Sequence, residues 1–278
     1  MNFSIVIPLY NKEYSISRCL NSVLMQKEVF CEIIIVNDGS TDNSLAVVEN
    51  HFKKEIACAH IKIINQSNRG VSVARNKGVE VSKFEYVCFL DADDEWKPGF
   101  LKKMAVLIKS YPQADLYCLA HMIKKDNTYL YKPRHGLPDG YNGYVEDFFK
   151  TSSKGSVAKS SKVCVKKDAI LFFGGFPEGV VAGEDLYVWI RLALNGKVAC
   201  DMSYLSIVHQ QKDNSRKARK NSVPYPIIFF SKNKNYLIER NIKGYLFVVF
   251  YKHFVSSLIS FKFREAFIRL KAYMVIVF

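Results

Sequence analysis

Through the first 120 residues, short, largely apolar runs alternate with stretches whose apolar positions recur at helical spacing. The runs are Phe3 to Pro8, Glu32 to Val36, Ile61 to Ile64 and Phe84 to Leu90, rich in isoleucine and valine. Strands that are apolar on both faces belong inside a parallel sheet covered by helices. Between the runs, Tyr14 to Lys27 places Ile16, Leu20, Val23 and Leu24 on one helical face. Ser40-Thr41-Asp42 offers an N-cap for a second helix reaching about Phe52, and Val71 to Val81 predicts a third. The alternation predicts an α/β fold with a Rossmann-like, mostly parallel central sheet flanked by helices.

Beyond Asp94 the pattern loosens. Pro98 suits the start of a helix from Gly99 to Lys109, and Asp115 to Met122 reads as a strand. Residues 123–142, rich in Lys, Tyr, Gly and Pro, read as a hairpin or a mobile loop. Val163 to Val165 and Leu205 to Val208 are strand-like, and Gly183 to Leu194 is helical. We divide the chain into residues 1–120, 121–215 and a basic, aromatic helical extension at 216–278. In that extension Lys252, Ser256, Ser260 and Arg264 recur every fourth residue, so one helix would carry them as a single polar stripe. Lys252 interrupts the apolar run short of the roughly 20 residues a spanning helix needs. The expectation is an interfacial helix, with aromatics at headgroup depth and lysines against anionic lipid. Packing on the protein's own core, or on a second subunit in a homo-oligomer, is the alternative.

Composition narrows the class. With 49% hydrophobic and 14% aromatic residues in 278, the chain is not disordered, and 14 Gly with 8 Pro exclude a collagen-like chain. The formal charge is +14, concentrated towards the end: residues 201–278 carry 14 Lys and Arg against 4 Asp and Glu. Such a balance points to a polyanion, either nucleic acid or an anionic membrane face. Seven cysteines without a C-x-x-C pair, mostly in apolar runs, suit a reducing cytosol. The opening Met1-Asn2-Phe3-Ser4 enters a strand-like run directly, so no signal peptide is expected.

Candidate chemistry gathers where predicted strands end. Asp91-Ala92-Asp93, with Asp94 behind it, follows the most apolar run, and ligands of open α/β sheets bind outside the carboxyl ends of strands. Two carboxylates one residue apart can converge on a hard divalent cation that bridges phosphates. Asp38 and Gly39 end the second strand, where an aspartate can accept from a pyrimidine N–H and a glycine admits close approach. Pro8, Tyr10 and Asn11 end the first, and Tyr10 can stack on a base. Gly70 and Arg75 flank the start of the third helix, whose dipole and arginines favour a diphosphate. Neither G-x-G-x-x-G nor a P-loop is present. His209 follows a strand-like segment, and Lys212 to Lys220 is a charge run suited to a lid or a lipid contact.

Together these segments resemble the nucleotide-sugar half of a family 2 glycosyltransferase with the GT-A fold. The matching stretches are Ser4 to Asn11, Ile34 to Asp42, Asn68-Arg69-Gly70 with Ala74-Arg75-Asn76, and Phe89 to Asp94, then Gly174 to Glu178 and Gly183 to Leu186. Asn37 departs from the family's frequent aspartate, while Asp38 is retained. The resemblance implies base recognition by Asp38, ribose or metal contact by Asp91, and Mg²⁺ or Mn²⁺ ligation by Asp93, with His209 a further metal ligand. It also implies that Asp185 is the catalytic base of an inverting transfer from a nucleotide-diphosphate sugar, with a UDP-sugar the expected donor. A glycan or lipid-linked acceptor at the cytoplasmic membrane face would follow, as in bacterial surface-polysaccharide assembly. Two other classes stay open. A sugar-nucleotide-forming nucleotidyltransferase would have a glycine-rich, lysine-bearing loop where Pro8-Leu9-Tyr10-Asn11-Lys12 stands. A basic nucleic-acid-binding module would show an RNP, KH or zinc-finger pattern, which is absent, so no nucleic-acid partner is expected.

Overall fold

A computed structural model describes the chain apart from residues 127–128, 211–221, 239–240, 260–262 and 278. The parallel half is built as the pattern requires. Strands β1 (Phe3–Leu9), β2 (Cys31–Asp38), β3 (Ile61–Gln66) and β4 (Tyr86–Phe89) lie in the order β3-β2-β1-β4, every pair parallel. Helices α1 (Ile16–Leu24), α2 (Ser44–His51) and α4 (Val71–Val81) make the crossovers. A short α3 (Lys53–Ala57) follows α2, where the sequence predicts nothing regular; it buries no residue, so it leaves no apolar stripe to read.

Alternation along the strands divides the core. Ile5 and Ile7 enter one cluster with Leu20, Phe100 and Met104, while Val6 between them joins Phe89 and Trp189 on the other face. Beyond β4 come the short strand β5 (Glu95–Trp96), α5 (Phe100–Ser110), β6 (Ala114–Lys125), β7 (Tyr129–Tyr131) and β8 (Asn142–Tyr144). Strands β6 and β7 pair antiparallel, so the 123–142 stretch does contain a hairpin. Helix α6 (Phe148–Lys154) leads to a 3-10 turn at Ser160–Lys162, then β9 (Val163–Lys166) and α7 (Lys167–Leu171). β9 runs antiparallel to both β4 and β6 and joins the two halves of a ten-stranded sheet. Helix α8 (Glu184–Asn195) precedes β10 (Lys197–Gln210), a strand much longer than the segment Leu205 to Val208 near its end predicts.

The extension shares the core cluster that lies on the Val6 face of the sheet. Helix α9 (Tyr225–Lys232) opens with Tyr225 N–H donating to the Ala182 carbonyl at 2.9 Å, and Phe229 meets the Tyr187 ring at 4.9 Å. Helices α10 (Ile242–Ile259) and α11 (Phe263–Val277) pack on each other, with Phe250 stacked on Tyr273 at 4.5 Å and Arg269 donating to the His253 carbonyl. The single stripe from Lys252 to Arg264 therefore does not form. Arg264 belongs to a second helix, and Ser260 lies outside the described residues. Among the described residues α10 is the one helix long and apolar enough to cross a membrane, with mean hydropathy 1.2 and about a third of it (35%) buried in the fold. Despite Lys252, the helix continues for 18 residues, because helical propensity and packing on α6 and α11 outweigh one charged position.

Candidate active site

Strands β1, β2 and β4 deliver their following turns to one edge of the sheet. At the end of β2, Asp38 is buried. Its carboxylate accepts from Gln66 Nε2 at 2.7 Å and from the N–H groups of Arg69 and Gly70 at 2.8 and 2.9 Å. Those bonds fix the loop that starts α4. Gly39 has φ +69°, and a Cβ there would meet Asn68 N at 2.8 Å, so only glycine lets the two loops approach. Gly70 sits at φ +92° before the first turn of α4.

The β1 loop is tied to the same place. Asn11 adopts φ 50°, and its Oδ1 accepts from Thr41 N–H at 2.8 Å while Nδ2 donates to Thr41 Oγ1 at 3.1 Å. Asn11 thus braces the loop after β1 against the loop after β2. Tyr10 beside it is 44% exposed and open to a planar ligand, while Pro8 lies within β1 opposite Val36.

Arg75 on α4 reaches across the site. Its guanidinium is 3% exposed, donates to Asp91 Oδ1 at 2.7 Å and to Glu184 Oε1 at 3.2 Å, and lies 5.2 Å above the Phe176 ring. Burial alone would lower its pKa; the carboxylates of Asp91, Glu184 and Asp185 raise it instead. This differs from the diphosphate contact expected of Arg75. The exposed arginine near the start of α4 is Arg69, paired with Glu178 at 3.6 Å.

Around the acidic turn, Asp93 Oδ2 lies 2.9 Å from Lys12 Nζ, and Arg18 donates to the Asp93 carbonyl at 2.7 Å. Asp94, to which the motif by itself assigns no role, is nearly inaccessible. It accepts from His209 N–H at 2.9 Å and from the Ser161 hydroxyl, and Ser161 Oγ also receives Asp91 N–H at 3.3 Å. Burial, reinforced by the Asp93 charge, pushes the Asp94 carboxyl up to about 8. The aspartate seals the turn against β10 and the Ser160–Lys162 turn. His209 directs Nε2 at Glu95 Oε1, 2.8 Å away, and burial lowers its pKa against the opposing pull of Glu95. Among the described residues no three His, Cys, Asp or Glu side chains form a group able to hold a metal ion by themselves.

Asp185 stands in the first turn of α8 beside Glu184, with Gly183 at φ +79° turning the chain into the helix. Its Oδ1 accepts from Leu186 N–H at 2.7 Å. The structure therefore brings Asp91, Arg75 and the Glu184–Asp185 pair together, with Asp93 on the same turn as Asp91 and Asp38 at the neighbouring strand end. The Lys212–Lys220 run lies outside the described residues. Lys12, Glu184 and Asp94 were the contributors least legible in sequence, since each lies next to a motif residue and has no spacing of its own.

This arrangement has known counterparts. An uncharacterized glycosyltransferase of Escherichia coli, YibD, is 44% identical over 104 residues, 37% of this chain and 29% of its own length. A Bacillus subtilis protein named as a teichuronic acid biosynthesis glycosyltransferase, TuaG, is 33% identical over 132 residues, 48% of this chain and 52% of its own. The matches thus span well under two thirds of these relatives. In three dimensions, crystalline S. aureus TarS in complex with UDP-GlcNAc superposes with TM-score 0.66 over 98% of this chain and 72% of that one, at 20% identity. The GT-A fold is thereby matched. With the glycosyl transferase family 2 model matching residues 4–175, through the segments that carry Asp38, Arg75 and Asp91, the chain belongs to that family.

Proposed function

We propose that this chain transfers a sugar from a UDP-sugar to a hydroxyl of a glycan or lipid-linked acceptor, inverting the anomeric carbon. The observation that carries the reading is the buried Arg75, which draws the turn after β4 and the start of α8 to one place. Donor-side and acceptor-side carboxylates then face a common reaction centre. The bound UDP of TarS and the teichuronic acid name of TuaG support a UDP donor and a surface-polymer acceptor.

In this reading the base lies at the Asp38 edge with Tyr10 against its face. The diphosphate extends towards Arg69 and the Asp91–Asp93 turn. Two carboxylates on one turn suit Mg²⁺ or Mn²⁺, which commonly takes one or two carboxylates and completes its shell with phosphate oxygens and water. Asp93, with Asp91, would hold that cation, which offsets charge on the departing diphosphate. Asp185 takes the proton of the acceptor hydroxyl as its oxygen bonds to the anomeric carbon and the bond to the diphosphate breaks. The single displacement releases UDP with the configuration inverted.

The C-terminal helices support a position on the cytoplasmic face of a membrane. Phe247, Tyr251 and Ile259 on α10 and Phe263, Phe267 and Met274 on α11 are exposed apolar residues, interspersed with Lys243, Lys252 and Lys271. Such a surface suits the headgroup boundary of an anionic bilayer. UDP-sugar hydrolysis tests the chemistry: wild type should turn over with Mn²⁺ and lose activity in Asp93→Ala and Asp185→Asn. Equal turnover in all three would remove the site assignments.

A further inference from the structure

Before any substrate is present, Asp93 already has a cation. Lys12 Nζ lies 2.9 Å from Asp93 Oδ2, with the two side chains 23% and 31% exposed. The shape of the turn does not rest on this pair. Arg18 holds the Asp93 carbonyl at 2.7 Å, Asp94 N–H donates to the Asp91 carbonyl at 2.9 Å, and the Asp94 carboxylate is bonded to His209 N–H and Ser161. Partly exposed ion pairs of this kind add little to stability.

The backbone of Lys12, by contrast, is fixed. Its N–H donates to Ser44 Oγ at 2.6 Å, and its carbonyl accepts from Ser15 and Ile16 N–H at 3.0 Å each, just before α1. A flexible stem on an anchored backbone lets the ammonium swing without moving the loop. Arg75 cannot do this, being buried and bonded to Glu184 as well as Asp91.

We infer that Lys12 is a donor-binding residue: its ammonium pairs with Asp93 in the free protein and turns to the diphosphate oxygens when the donor and its cation occupy that carboxylate. One carboxylate oxygen at 2.9 Å from an ammonium cannot also take a divalent cation without strong repulsion between the two. A diphosphate offers Lys12 a replacement anion in the same place, so the exchange conserves the charge balance of the turn. The inference rests on the donor-site reading above.

The test uses the full chain, with Mn²⁺ binding followed by electron paramagnetic resonance and UDP binding by calorimetry in saturating Mn²⁺. Lys12→Met should bind Mn²⁺ alone about fivefold more tightly, the scale of a lost exposed ion pair. The same variant should bind UDP about tenfold more weakly, the scale of a lost charge-assisted hydrogen bond. Lys12→Arg should restore UDP binding, and the melting temperature should match wild type in both. If Lys12→Met leaves both affinities at wild-type values, or weakens Mn²⁺ binding, the exchange is overturned while the donor site stands. If wild type binds neither Mn²⁺ nor UDP, the donor-site reading falls and this inference with it.

Discussion

Arg75 Nη1 donates to Glu184 Oε1 at 3.2 Å, joining residues 109 apart in the chain at a point where both side chains are almost fully buried. A buried pair of this kind costs little while intact and much when one partner is lost. Arg75→Met should therefore destabilise the fold by about 3–5 kcal/mol, because Glu184 would remain buried without its cation. Urea denaturation measures it. Adding Glu184→Gln should recover part of the loss, and a change below about 1 kcal/mol would place the pair among inconsequential surface bridges.

Helix α4 reaches the site because Gly78 lets it lie close on β1. A Cβ at Gly78 would come within 2.3 Å of Val6 Cγ1. Gly78→Ala should cost about 1–3 kcal/mol by overpacking and shift the helix that carries Arg75. The double variant Val6→Ala, Gly78→Ala should be less destabilised than the two single effects summed, as read by thermal unfolding at matched concentration.

The proton-accepting role of Asp185 predicts a split between binding and chemistry. Asp185→Asn should bind UDP as wild type does, yet lose about 10²–10⁴ in kcat for acceptor transfer, the range of general base catalysis. Calorimetry with UDP and steady-state transfer assays check the two parts. A parallel fall in UDP affinity would mean that Asp185 shapes the donor site rather than accepting a proton.

Acid sensitivity should come partly from His121. It is 2% exposed, its Nδ1 has no hydrogen-bond partner among the described residues, and its pKa is lowered by burial and then by Lys162 and Lys159. With the folded pKa below the unfolded value, the unfolded chain binds the extra proton, so stability is lost as pH falls below about 6.5. The slope from this one group is about 1.4 kcal/mol per pH unit. His121→Phe, which preserves the ring contact with His135 at 5.0 Å, should flatten the decline between pH 6 and 5. An unchanged pH dependence of unfolding would rule the group out.

Membrane association should respond to the exposed face of α11 rather than to removal of the tail. Tyr245 and Leu246 of α10 belong to the main core, so deleting residues 244–278 would expose it. Phe263→Asp with Phe267→Asp, at positions 63% and 68% exposed, leaves the core intact. The pair should abolish co-sedimentation with anionic liposomes while the melting temperature stays within a few degrees. Equal pelleting of wild type and variant would remove the membrane from the proposed function.

What the sequence by itself determined is what short-range physics encodes. The period of apolar residues gave β1 to β4 and their crossover helices, and the Asp-Gly and D-x-D turns marked the sheet edge at which the candidate site residues gather. Tertiary structure decided how those turns are used. Only the fold shows Arg75 as a strut between Asp91 and Glu184, Asn11 as a brace on Thr41, and Asp94 sealed against His209. It also inserted β9 antiparallel and folded the tail into two helices packed on the core. The reason is range: periodicity and turn chemistry act within a few residues. Which carboxylate meets which guanidinium depends on burial and register summed over the whole sheet.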